Sequence, residues 1–266
     1  MADREYTVAV LGPLSVRRHG STVELPEGPR RLTGLLSCRG PQPRGAVAEA
    51  LWPGLPEGRA RANLRSALWR IQKRCPLLIG GAGQELRLAE SVELDLTVAG
   101  TLAYSILQHA RTPDQNRPCA TPVWAVLTRD VLPDWFDEWA LVERERFRQL
   151  RLHALEQLAS LYNRQRRFGP AIDVATHAVQ ADPLRESAHR MLIAAHQGEG
   201  NHVEARRAYE RCRRLLGREL GLEPTPQLLA LITPSLKAGG AHQPRPAPSP
   251  QHHARGLARA SAPGGR

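Results

Sequence analysis

A repeat of 34 residues in the second half of the chain limits its fold more than any other feature. Leu158 corresponds to Leu192, Phe168 to His202, Ala171 to Ala205 and Ala178 to Cys212. The runs Arg167-Phe168-Gly169-Pro170 and Gly200-Asn201-His202 stand at the turns. A helical hairpin of this length cannot bury its own apolar face and must stack on a copy of itself; about 34 residues is the tetratricopeptide period. Small residues at Ala171 and Ala205 let paired helices approach closely. Upstream, a long amphipathic stretch runs from Trp135 to about Arg166. Within it Leu152, Leu155, Leu158 and Leu161 keep helical spacing and are expected in the core.

The first ninety or so residues follow a different rule. Tyr6, Val8 and Val10 alternate, Leu14 and Val16 follow Gly12-Pro13, and Val23 and Leu25 follow His19-Gly20, a pattern of short strands joined by tight turns. Three helical segments come next: one around Arg31–Leu36 ending near Gly40-Pro41, one over Arg44–Trp52, and one over Arg59–Cys75 closed by Pro76. Leu77-Leu78-Ile79 and Glu85-Leu86-Arg87-Leu88 flank Gly80-Gly81-Ala82-Gly83 and read as a hairpin with a mobile tip. The expected fold class is therefore an α+β winged-helix domain followed by an all-α TPR-like helical-repeat domain. The expected domains are residues 1–96 and 97–236, with a disordered tail over 237–266. A further helix is expected from Val98 to His109, then a polar loop over 111–122. From Ala238 onward large apolar residues are nearly absent, so burial cannot offset ordering entropy.

Charge and composition exclude several classes. The net charge is +11, divided as +4 over 1–96, +2 over 97–236 and +5 over the tail. Any anionic partner must therefore be met by a local cluster. No apolar run reaches the 18 or so residues of a membrane span, and the N-terminus carries no signal-peptide pattern, so a cytoplasmic location is expected. Cys38, Cys75, Cys119 and Cys212 are scattered without a C-x-x-C pair, so neither a metal site nor a disulfide framework is expected. His252-His253 is read as a solvated pair in the tail. No cofactor fingerprint or hydrolase motif occurs. Glu143 and Glu145 sit two apart on a helix and face arginines three residues on, Arg146 and Arg148, which is an ion-pair face rather than a catalytic dyad.

The third helix carries the functional signal. At 100° per residue, Ala60, Leu64, Ala67, Leu68 and Ile71 share one arc and form a buried stripe. The opposite arc presents Arg59, Ser66, Trp69, Arg70 and Lys73, with Asn63 at its edge and Arg61, Arg65 and Arg74 on the flanks. No acidic residue occurs from Gly58 to Gln84. A helix stabilised only for itself mixes Glu with Arg at i,i+4; a cationic face with short polar residues suits the major groove of DNA. Arg70 and Ser66 are expected at base edges, and Arg59, Arg61 and Arg65 at phosphates. Lys73 fits either role. Arg87 on the hairpin is placed at a neighbouring phosphate or minor groove, or as an ordinary exposed strand residue. Trp69 is expected to pack against the hairpin or on sugar and a thymine methyl.

Three stretches, Val10-Leu11-Gly12-Pro13-Leu14-Ser15-Val16, Leu51-Trp52-Pro53 and Asn63-Leu64-Arg65-Ser66-Ala67-Leu68-Trp69-Arg70-Ile71, resemble the DNA-binding half of the Streptomyces antibiotic regulatory protein family, a winged helix of the OmpR type. Downstream, Leu132-Pro133-Asp134-Trp135, Glu143-Arg144-Glu145-Arg146, Asp182-Pro183-Leu184-Arg185-Glu186 and Arg218-Glu219-Leu220-Gly221-Leu222-Glu223-Pro224 resemble the family's bacterial transcriptional activation domain. The resemblance spans about residues 6–232. It implies an activator of a secondary-metabolite biosynthetic cluster that binds direct repeats in double-stranded DNA, beside a second protomer, and recruits RNA polymerase holoenzyme. Gln72 departs from the pattern where Arg is favoured, and Gly34, Gly40, Pro41 and Pro43 weaken the first helix. Gln72 and the glycine-rich wing keep open a rival, a TPR-like interaction or ligand-sensing regulator with weak or absent DNA binding.

Overall fold

The computed structural model describes residues 5–81, 83–109 and 122–239; the expected loop, apart from Pro122, and nearly all of the tail lie outside them. Strands β1 (Tyr6–Ala9), β2 (Ser15–Arg18) and β3 (Ser21–Thr22) form an antiparallel meander in which Val8 faces Val16. Helices α1 (Glu27–Arg39), α2 (Arg44–Leu51) and α3 (Glu57–Arg74) follow, with the two-residue strand β4 (Gln42–Pro43) between the first two. Strands β5 (Ile79–Gly80) and β6 (Glu85–Leu88) make the hairpin, and β4 adds to its edge, giving the order β4-β6-β5. Strand β7 (Glu93–Leu94) returns to pair parallel with β1. Helix α1 begins four residues before the expected start because Pro29 stands in its first turn, where a missing N–H costs nothing.

Helix α4 (Asp95–His109) leads into the helical half. A short 3-10 helix over Val123–Thr128 precedes α5 (Glu138–Arg164), α6 (Phe168–Ala181), α7 (Glu186–Glu199), α8 (His202–Leu220) and α9 (Pro226–Gly239). Each of α5 to α8 packs on the next. The 34-residue repeat maps α5–α6 onto α7–α8, and its small positions Ala171, Ala178, Ala205 and Cys212 are wholly buried. Leu152, Leu155, Leu158 and Leu161 are buried as expected. Gly200 and Gly221, both left-handed, end α7 and α8, and Asn201 caps α8 through the Glu204 N–H. The architecture is a winged helix followed by TPR-like helical repeats. Among the described residues no helix is long and apolar enough to cross a membrane.

The two halves are joined by long-range polar contacts. Asp95, the first residue of α4, ties that connecting helix to β1: its two carboxylate oxygens accept from the Val10 and Leu11 N–H groups, at 2.9 and 3.0 Å. Gly12 donates to the Asp130 carbonyl and Leu132 to the Val10 carbonyl, so the segment at 130–132 extends the β1 ladder. Arg144 of α5 grips that segment, donating to the carbonyls of Val131, Leu132 and Trp135. Arg151, 3% exposed, donates to Leu127 and Thr128 carbonyls and pairs with Asp130. Trp135 is therefore held in a turn ahead of α5 rather than on the helix the periodicity suggested. Its ring lies over Gly34 of α1, where a Cβ would stand 2.8 Å from the indole. Gly34, which weakens α1 by propensity, is what lets the indole approach.

Candidate nucleic-acid interface

Helix α3 is placed by its apolar stripe. Ala60, Leu64, Ala67 and Ile71 are buried and Leu68 is half-buried at the edge of the stripe, which turns the polar arc outward. Arg59, Arg61, Asn63, Arg65, Ser66, Trp69, Arg70 and Lys73 are all exposed, so eight of the nine expected site residues share this one helix. At 1.5 Å per residue the face from Arg59 to Lys73 is about 21 Å long, enough to lie along a groove about 12 Å wide.

The cations differ in their engagement. Arg61 pairs with Glu57 one turn earlier, at the first residue of the helix and just outside the acid-free run. Both groups are well exposed, so the pair contributes little and yields readily to a phosphate. Among the described residues Arg59, Arg65 and Arg70 show no carboxylate partner. The Lys73 ammonium sits 4.2 Å from the Trp69 ring centroid. Trp69 remains 59% exposed, with the lysine over its ring. Arg74 points away, donating to the Glu24 carbonyl at 2.8 Å.

A crevice separates α3 from the wing, lined by Arg65, Trp69 and Gln72 on the helix and by Ile79, Gly80 and Gly81 on the hairpin. Arg44 also lines it, with its Nε 3.3 Å from the Gly83 carbonyl. Sequence reasoning missed Arg44 because it lies on another helix; its place as the first residue of α2 was the only signal. Arg87 is set apart from the rest. Leu86 faces the core, so the strand alternation turns Arg87 to the other side of the ribbon, where it pairs with Glu90 at 3.0 Å. There it borders a cleft against α4 and α5. No group of metal-ligating side chains occurs among the described residues.

A winged helix with an outward cationic third helix, continued by a helical repeat, defines a class of transcription regulators. Residues 120–234 match the bacterial transcriptional activator domain. Over 238 residues the chain is 30% identical to the regulatory protein AfsR of Streptomyces griseus, and over 241 residues 30% identical to AfsR of Streptomyces coelicolor. These alignments cover 86% and 87% of this chain but 24% of each relative, so the chain spans about a quarter of their length. Among solved structures, Mycobacterium tuberculosis EmbR in complex with a low affinity phosphopeptide superposes with a TM-score of 0.66 at 20% identity. That likeness covers 88% of this chain and 65% of EmbR, and it concerns the fold. These matches bear out the resemblance to the Streptomyces antibiotic regulatory protein family.

Proposed function

We propose that this chain binds duplex DNA in a sequence-specific manner, with α3 in the major groove, and activates transcription of a secondary-metabolite gene cluster. The observation that carries this reading is the exposed face of α3, on which Arg59, Arg65, Arg70 and Lys73 stand among short polar side chains with no carboxylate against them among the described residues. Arg70 and Ser66 are assigned to base edges, Asn63 to the margin of the readout, and Arg59, Arg61 and Arg65 to phosphates. Arg44, across the crevice, adds a cation to the same side. Arg87, on the hairpin and paired with Glu90, lies apart from this face of α3. Residues 1–96 form the DNA-binding domain and 97–236 the activation domain, which contacts RNA polymerase holoenzyme. Two protomers occupy adjacent direct repeats, so any contact between them is head to tail rather than two-fold.

The test is a fluorescence anisotropy titration of the full chain with duplex DNA from upstream of its own gene, repeated across a salt series. Tight binding with a log–log salt slope of about −0.9 per neutralised phosphate is expected. A second reading, a TPR-like interaction or ligand-sensing regulator with weak or absent DNA binding, draws on the Glu57–Arg61 and Arg87–Glu90 pairs, which partly neutralise two cations. Equal, weak affinity for upstream and random duplexes would favour it.

A further inference from the structure

Where the wing meets the helical half, a cleft of about 600 Å³ opens between the end of α1, the β6 side of the hairpin, α4 and α5. Pockets of this size at domain interfaces, with an apolar body and a few convergent polar groups, are the usual form of small-molecule sites. Its floor is apolar: Leu36, Leu88, Leu94, Leu96, Phe147 and Leu150 line it. Its rim is cationic, with Arg39, Arg87 and Arg146 contributed by three separate elements. Glu143 and Glu90 answer these arginines only in part. Arg39 meets Glu143 at 3.2 Å, but Arg146 stands 3.9 Å from the same carboxylate and is 80% exposed. Arg87 engages Glu90 at 3.0 Å, a partner that is itself 82% exposed. A guanidinium carries five donors, so each rim arginine keeps several free for a second acceptor.

An independent observation points into the same space. Gly100 lines the cleft from the middle of α4, and a Cβ built on it meets nothing within 4 Å. Glycine is the poorest helix former after proline. No backbone strain or close neighbour demands it here, and the absence of a side chain leaves open space at this part of the lining. Cys38 also lines the space, and burial pushes its thiol up to about 12, so it serves as a neutral wall and not as a nucleophile.

We propose that this cleft binds a small amphipathic acid, whose apolar body lies over Gly100 and the leucine floor and whose carboxylate reaches the rim arginines. Such a ligand would touch the wing through Arg87 and Leu88 and the helical half through Phe147 and Leu150, linking the two. The site is separate from the α3 face, and its occupancy is measured without DNA, so its failure and the failure of DNA binding are distinguishable.

The probe is anilinonaphthalene sulfonate, an aromatic body with one anionic group, titrated against the full chain by fluorescence and by calorimetry, with neutral phenylnaphthylamine alongside. Saturable one-to-one binding is expected, weakened about tenfold or more by Gly100→Phe, a loss equivalent to about 1.4 kcal/mol. Arg146→Glu, at a well-exposed position that tolerates substitution, should weaken the sulfonate several-fold more than the neutral dye. It serves as the deciding variant if Gly100→Phe does not fold. Non-saturable binding overturns the site, as does an unchanged affinity in Gly100→Phe with native near-ultraviolet circular dichroism. Equal weakening of both dyes by Arg146→Glu overturns the assignment of the ligand as an acid.

Discussion

Replacing Gly34 by alanine sets two physical effects against each other, and the structure decides which wins. In an isolated helix the change stabilises by about 1 kcal/mol, since Ala is the best helix former and Gly among the worst. Here the new Cβ would stand 2.8 and 2.9 Å from two carbons of the Trp135 ring, whereas carbon contacts are comfortable near 3.5–4.0 Å. The indole cannot retreat easily. It is 7% exposed, sits edge-on to Trp139 with centroids 5.6 Å apart, lies under the Arg30 guanidinium, and its turn is gripped by Arg144. Overpacking in such a setting costs about 1–3 kcal/mol, more than the propensity gain over most of that range. Gly34→Ala should therefore lower the urea midpoint of the full chain, at unchanged slope, by the equivalent of up to about 2 kcal/mol. In a Trp135→Leu background, itself destabilised, the same change should be neutral or stabilising, because the overlap is gone. A double-mutant cycle in urea isolates that coupling. A raised midpoint for Gly34→Ala in the otherwise native chain would refute the reasoning.

Arg70→Ala should cost about 1–3 kcal/mol on the cognate duplex and relax sequence preference in a binding-site selection. Arg59→Ala should instead weaken cognate and random DNA alike and flatten the salt slope by about one unit; an unchanged selected motif with Arg70→Ala would mean the wrong face of α3 was chosen. Arg151→Met strands the carbonyls of Leu127 and Thr128 and should destabilise by about 2–3 kcal/mol, while Arg146→Ala on the same helix should stay within about 0.5 kcal/mol. Stability should also fall in mild acid. His189 donates Nε2–H to the Pro183 carbonyl, which leaves its buried Nδ1 unpartnered; burial lowers its pKa, and it lowers that of His196 too. Well above pH 6.5 both imidazoles are neutral folded or unfolded and contribute no slope. Below it the unfolded chain takes up protons first, so the urea midpoint should drop until the folded histidines titrate. A midpoint in His189→Gln with the same acid slope as wild type would count against that site.

The parts of the fold legible in the sequence were those set by neighbours a few residues apart. The α3 stripe could be read because Ala60, Leu64, Ala67 and Ile71 recur at helical spacing, and the repeat because its small positions recur at 34. Two-residue strands such as β4 and β7 are too short to carry a period, and their existence depends on β6 and β1 being in place. The candidate site was legible to the same extent. Eight of its residues share one helix and follow from its periodicity. The two residues whose placement came only from the structure, Arg44 and Arg87, lie on other elements. Arg44 is brought beside α3 by tertiary packing, and Arg87 is turned away by strand alternation about the buried Leu86.

What the sequence concealed most completely is the joint. Asp95 reaches back to Val10 and Leu11, Arg31 pairs with Asp137, Arg39 with Glu143, and Gly34 receives Trp135, over separations of 84 to 106 residues where these are hydrogen bonds. Nothing in their type or spacing pairs these residues with one another, and Gly34 looks like a defect in its own helix. Together they give the winged helix and the repeat a shared strand ladder and a shared aromatic core, so neither half has a complete surface of its own along β1 and α1. Cutting after residue 96 would take away Trp135 and the Asp130–Leu132 ladder and leave the Gly34 face of α1 and the Val10 carbonyl uncovered. The same geometry explains why a cleft persists beside so many contacts. The joint is closed by Trp135 on one side of α1, while on the other side the step at Gly100 leaves room between α4 and the wing. A helix such as α3, if it follows a groove in DNA, carries the repeat with it through this joint, and the repeat's exposed faces are then presented at a fixed place along the duplex.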